Sequence, residues 1–165
     1  MASDTPFPRI DFARDAAALE AVRTLFREYA ASLDFGLDYQ DFDGELAALP
    51  GKYAPPAGAL LLATVGGEAA GCGALRELAP GIAEMKRLYV RHAFRALGLG
   101  RALTLRLIDE ARSRGHRRLR LDTVDASMAR ALALYRALGF VEIAPYYPSP
   151  IPGTVFLELD LEAVR

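Results

Sequence analysis

The chain reads as an α/β domain, a central mixed and mostly antiparallel sheet of about seven strands flanked by about four helices. Three observations predict this. Runs with apolar residues at period two alternate along the chain with stretches whose apolar residues recur at helical spacing. The pair Gly66 and Gly67 separates two strand-like runs and supplies the positive φ that a tight antiparallel hairpin needs. Finally, 165 residues with 52% hydrophobic content suffice for one core, and no linker divides them, so residues 1–165 are taken as a single domain.

The elements follow in order. Residues 9–12 (RIDF) form a short first strand. Over 15–33, Ala18, Val22, Leu25, Phe26, Tyr29 and Leu33 recur at helical spacing, and Asp15 is placed to cap the start. A second helix, weakened by Gly44, is expected over about 39–49 and stops at Pro50 and Gly51. The hairpin comprises residues 59–65 and 68–78, and IAEMKRLYV (82–90) is the next strand. A helix over 99–114 carries Leu103, Leu107 and Ala111 on one stripe and ends at Gly115. RLRLDTV (118–124) alternates with period two, and SMARALALYRALGF is a helix stopped by Gly139. FVEIAPYY and TVFLELDL are two last strands joined by the loop PSPIPG.

Composition excludes several function classes. The amino terminus lacks a basic start followed by an apolar block, and no apolar run approaches the roughly 18 residues of a membrane span, so a soluble cytoplasmic protein without membrane partners is expected. Cys72 is the one cysteine and His92 and His116 lie far from it, which speaks against a disulfide or a metal site. Net charge is −1, yet residues 1–50 carry ten acids against four arginines, while residues 86–120 carry eleven Lys and Arg against Asp109 and Glu110. Overall charge is near zero and the sequence shows no aromatic-interleaved basic surface, so nucleic acid is not the expected partner.

The segment VRHAFRALGLGRAL (90–103) stands out, because two glycines in three residues weaken either a strand or a helix. Between a strand and a helix their absent side chains would let an anion reach the unpaired first amides of the helix, where the helix dipole favours negative charge. A ligand-free glycine turn is the competing reading. A P-loop is excluded because Arg101 and Ala102 stand where Lys and Ser or Thr are required, and a dinucleotide fingerprint because Leu103 replaces its third glycine.

RALGLGRA resembles the R/Q-x-x-G-x-G/A signature of the GNAT superfamily of acetyl-CoA-dependent N-acetyltransferases, with Arg95, Gly98 and Gly100 in the motif positions. ALALYRALGF (131–140) is similar to that family's A-x-x-L-Y-x-x-x-G-F segment, and the likeness is strong from about Ile82 to Val141. The resemblance implies acetyl-CoA as donor, with no metal. It implies that amides of Leu88, Tyr89 and Val90 pair with the pantetheine arm. It further implies that amides along Arg95, Ala96, Leu97, Gly98, Leu99, Gly100, Arg101 and Ala102 hold the pyrophosphate. Tyr135 corresponds to the tyrosine that points at the coenzyme sulfur, and Met128 replaces a cofactor-contacting asparagine of many relatives.

Acetyl transfer to an amine needs a base, since an alkyl ammonium of pKa near 10.4 is neutral at pH 7 in only about one molecule in 2,500, an apparent cost of about 4.6 kcal/mol. Glu84, eleven residues before Arg95, is the expected base, as in some family members, with Asp122, Glu158 and a water relay from backbone carbonyls as competitors. Tyr135 is the expected proton donor to sulfur, against a packed helix aromatic. Cys72 reads as a small buried residue, which favours direct transfer in a ternary complex over an acyl-enzyme. The expected acceptor is a small amine or amino acid, with Lys86 or Arg87 able to pair with its carboxylate and the loop bearing Tyr146 and Tyr147 as a wall. Acetylation of a protein amine, and an acyl-CoA sensor without turnover, are the alternatives, and a homodimer stays open.

Overall fold

The computed structural model describes residues 7–124 and 128–163. The sheet has seven strands in the order β1-β2-β3-β4-β5-β7-β6. They are β1 (Pro8–Phe12), β2 (Ala59–Val65), β3 (Glu68–Ala79), β4 (Ile82–Val90), β5 (Arg118–Val124), β6 (Val141–Ile143) and β7 (Thr154–Asp160). All neighbours run antiparallel except β4 and β5, which are parallel. The helices are α1 (Ala16–Ser32), α2 (Phe42–Ala48), α3 (Leu99–Ser113) and α4 (Ala129–Ala137). The predicted mixed sheet with four helices is therefore the architecture found.

Local chemistry explains the boundaries. Asp15 caps α1 by accepting from the Ala18 amide at 2.8 Å. Gly66 and Gly67, at φ 60° and 81°, make the β2–β3 turn. Gly115 and Gly139, at φ 84° and 102°, follow α3 and α4. Two expectations need correction. The helix expected over 39–49 is a 3-10 turn, Asp38–Gln40, followed by α2, because Asp41 takes a left-handed conformation at φ 52° between them. The strand expected through Tyr147 stops at Ile143: Pro145 cannot donate to a ladder, and Tyr146 and Tyr147 turn their hydroxyls to Glu84 and Asp122. Residue 127 of the last predicted helix lies outside the described residues.

The two faces of the sheet bury separate cores. One joins Leu61, Leu75, Ala83, Met85, Leu119 and Leu157 to Leu103 and Leu107 of α3 and to Leu132 and Tyr135 of α4. The other packs Val22, Leu25 and Phe26 of α1 and Phe42 and Leu46 of α2 on Leu60, Cys72 and Ala74. Helices thus cover both sides of β4, whose carboxyl end opens into the functional region.

Candidate active site

Strands β4 and β5 pair only over Ile82–Glu84 with Arg118–Arg120. Beyond that they splay, and the β5-facing edge of β4 has no strand neighbour among the described residues. The cause is a bulge. Ala74 pairs with Lys86 but Cys72 pairs with Tyr89, so three steps on β4 match two on β3. Arg87 sits in the bulge at φ 61°, a conformation that costs a non-glycine residue of order 1–3 kcal/mol. Its guanidinium donates to both carboxylate oxygens of Glu45 at 2.9 and 3.0 Å and lies over the Phe42 ring, 5.2 Å from its centroid. Both charged residues are buried, and the bidentate pair anchors the strained strand to α2.

The splay forms the floor of a cleft of about 710 Å³ that continues to the glycine segment. A 3-10 turn, His92–Leu97, leads into Gly98 at φ 72° and then α3. The first helical bond is Ala102 N–H to the Gly98 carbonyl at 3.1 Å, so the amides of Leu99, Gly100 and Arg101 precede the ladder. A Cβ built on Gly98 or on Gly100 would meet no protein atom within 4 Å. At Gly98 the positive φ already favours glycine. At Gly100 neither backbone nor packing does, and the bare position leaves the neighbouring amides open to the cleft.

The predicted donor-site residues fall into two sets. Leu88, Tyr89, Val90, Arg95, Gly98, Gly100, Arg101, Met128 and Tyr135 all line the cleft. Ala96 and Leu97 lie in the turn, with Leu97 exposed, and the side chain of Leu99, the first residue of α3, is buried. The Ala102 amide, expected in the anion cradle, is instead spent on Gly98. The Met128 thioether accepts from the Thr123 hydroxyl at 3.0 Å, which ties the start of α4 to the end of β5.

Tyr135 is 6% exposed and packs against Phe140 with ring centroids 5.7 Å apart. Burial, together with the Tyr29 and Asp122 charges, pushes its hydroxyl above the ordinary phenol range, so it stays protonated at neutral pH. No hydrogen bond engages that hydroxyl among the described residues. Cys72 is fully buried, its Sγ directed at the Arg87 carbonyl at 3.4 Å, and burial pushes its thiol up as well. Among the described residues it has no partner base, and it does not line the cleft.

Of the carboxylates expected as base, two are closed off. Glu84, 2% exposed, accepts from Arg76 Nε at 2.8 Å and from the Tyr146 hydroxyl at 2.7 Å, and it is not among the cleft-lining residues. Glu158 pairs with Arg120 at 2.8 Å. Asp122 does line the cleft, its carboxylate held by the Tyr147 hydroxyl. Tyr146 and Tyr147 pack on Phe156, at centroid distances of 5.0 and 5.1 Å, and neither is among the cleft-lining residues, so the wall expected of the β6–β7 connection is not formed by these two rings. Gln40 and Arg130 also line the cleft and carry no local sequence signal. Arg87 had one, an arginine in a strand otherwise committed to burial.

Among the described residues there is no group of three or more metal-ligating side chains and no helix long and apolar enough to cross a membrane.

Comparisons with known proteins agree with this geometry. The model of the acetyltransferase (GNAT) family matches residues 19–140. An uncharacterised N-acetyltransferase of Schizosaccharomyces pombe is 39% identical over 145 residues, covering 87% of this chain and 88% of the relative. A GNAT-family acetyltransferase of Staphylococcus aureus superposes with a TM-score of 0.77 at 19% identity, over 94% of this chain and all (100%) of that one. An N-acetyltransferase of Thermoplasma acidophilum in complex with coenzyme A superposes with a TM-score of 0.71 at 16% identity, over 93% of this chain and 99% of that one. The splayed strands, the glycine-opened helix start and the family match together establish that this chain belongs to the GNAT family of acetyltransferases.

Proposed function

We propose that the chain transfers the acetyl group of acetyl-CoA directly to a primary amine of a small molecule, within a ternary complex. The observation that carries this is the junction of the β4–β5 splay with Gly100, a position whose bareness serves no protein atom. The coenzyme A complex of the Thermoplasma relative has the same fold and supports the same donor here. In this reading the free edge at Leu88–Val90 takes the pantetheine arm. The amides of Leu99, Gly100 and Arg101, with Arg95 and Arg101, take the diphosphate.

Acetyl-CoA supplies an activated acyl carbon and a thiolate leaving group. The chain's part is proton handling. Asp122 accepts one proton from the acceptor's ammonium, giving an amine whose lone pair forms the N–C bond as the C–S bond breaks. Tyr135 gives its hydroxyl proton to the departing sulfur and regains one from the acylated nitrogen, so the net release is one proton, left on Asp122 and then passed to solvent. Asp122 is preferred to Glu84 because arginine already holds Glu84.

A cleft of about 710 Å³ with Lys86 and Asp122 both in its lining favours a small acceptor over a protein segment. The test is coenzyme release from acetyl-CoA across free amines and peptides, alongside calorimetric titration with coenzyme A. Turnover of free amines supports the reading. Turnover of peptides alone overturns the small-molecule acceptor, binding without turnover overturns catalysis, and absence of binding overturns the donor site.

A further inference from the structure

The floor of the cleft holds two opposite charges that do not neutralise each other. Lys86 and Asp122 each lie two residues past the last paired residues of the splayed strands, Glu84 and Arg120. The charges beside them on the same two strands are paired, Arg87 with Glu45, Glu84 with Arg76 and Arg120 with Glu158. Lys86 and Asp122 enter no ion pair among the described residues. Lys86 Nζ donates instead to the amide oxygen of Gln40 at 3.0 Å, and Gln40 is oriented by donating its own amide to the Tyr39 hydroxyl at 3.0 Å. Asp122 accepts from Tyr147 on the β6–β7 connection. The cation is thus drawn to the α1–α2 connection and the anion to another loop, both facing the cleft.

Half-burying two charges without a counter-charge costs desolvation that a neutral amide and a phenol only partly offset. A ligand carrying both signs offsets it. From this juxtaposition we infer that the acceptor is a primary amine that also bears a carboxylate, an amino-acid-like zwitterion whose carboxylate is anchored by Lys86 and whose ammonium is met by Asp122. This rests on the proposed transfer to a small amine and names which amine. Burial, with Arg87 and Lys52 nearby and against the pull of Glu84 and Asp122, brings Lys86 down to about 8, as expected for an ammonium short of negative charge. One lysine beside a neutral amide suits a singly charged carboxylate.

The test uses matched acceptors: several amino acids, their methyl esters and their decarboxylated amines, assayed with the parent, K86M and K86R. The parent should favour the free amino acids by about 10- to 100-fold in kcat/KM, chiefly through KM. In K86M that preference should fall to within about twofold, and K86R should retain most of it. Coenzyme A titration of each variant reports fold and donor site separately. Esters and plain amines turned over as well as amino acids would overturn this inference and leave acetyl transfer to small amines standing. A preference that survives K86M would overturn the role of Lys86. Loss of coenzyme A binding in the parent, or turnover of peptides alone, would overturn the underlying reading and this one with it.

Discussion

Replacing Gly100 with alanine should move stability and donor affinity in opposite directions. Gly100 is the second residue of the helix Leu99–Ser113, its φ lies outside the left-handed region, and an added Cβ meets no protein atom within 4 Å. Alanine there restricts the unfolded chain without strain and should stabilise the ligand-free fold by about 0.4–1 kcal/mol. At about 2–4 °C per kcal/mol for a chain of this size, scanning calorimetry should show a rise in Tm of roughly 1–4 °C. The same methyl group stands where the diphosphate would approach the amides of Leu99, Gly100 and Arg101. Losing one charge-assisted hydrogen bond, about 1.5–3 kcal/mol, should weaken coenzyme A binding by about 10- to 150-fold in isothermal titration. G98A provides the contrast, because φ 72° strains an alanine and both quantities should fall. A stabilised G100A protein with parental coenzyme A affinity would refute the assignment of these amides to the diphosphate.

Three further outcomes are expected. Y135F should lower kcat by about 10²- to 10⁴-fold with acetyl-CoA binding retained, and parental kcat would remove Tyr135 as proton donor. D122N should displace the acidic limb of the kcat/KM–pH profile and E84Q should leave it in place, since Arg76 and Tyr146 hold Glu84; the reverse pattern would return the base to Glu84. R87M should cost about 3–5 kcal/mol in urea unfolding at neutral pH by leaving the buried Glu45 with only Lys52. Burial raises the Glu45 carboxyl, but the hydrogen bonds and charge of Arg87 hold it below its ordinary value. The stability from this pair is therefore full above the ordinary carboxylate range and lost as pH falls through the lowered value, so the gap between parent and R87M should close there. A gap independent of pH would refute the pairing.

Features written in neighbouring residues were legible in the sequence. The period-two run of β4, the Asp15 cap, the paired glycines at 66 and 67 and the bare loop around Gly98 each declare themselves within a few positions. What escaped depends on contacts between distant residues. The bulge at Arg87 exists because a carboxylate 42 positions earlier receives its guanidinium, and Glu84 is closed off by a tyrosine 62 positions later. Neither pairing leaves a trace in local periodicity. The same holds for the helix expected over 39–49, where hydrophobic spacing survives but the left-handed Asp41 interrupts the ladder. Residue types at the site were readable, and which of the three carboxylates Glu84, Asp122 and Glu158 faces the cleft was not.

The position of Cys72 has a practical consequence. It is the chain's one cysteine, sealed beneath the sheet with its proton retained. A thiol-reactive chromogen will therefore register coenzyme freed by turnover against a silent protein background. Once the fold is melted, the same dye will gain one equivalent per polypeptide, so a single reagent can count both catalytic events and the molecules that performed them.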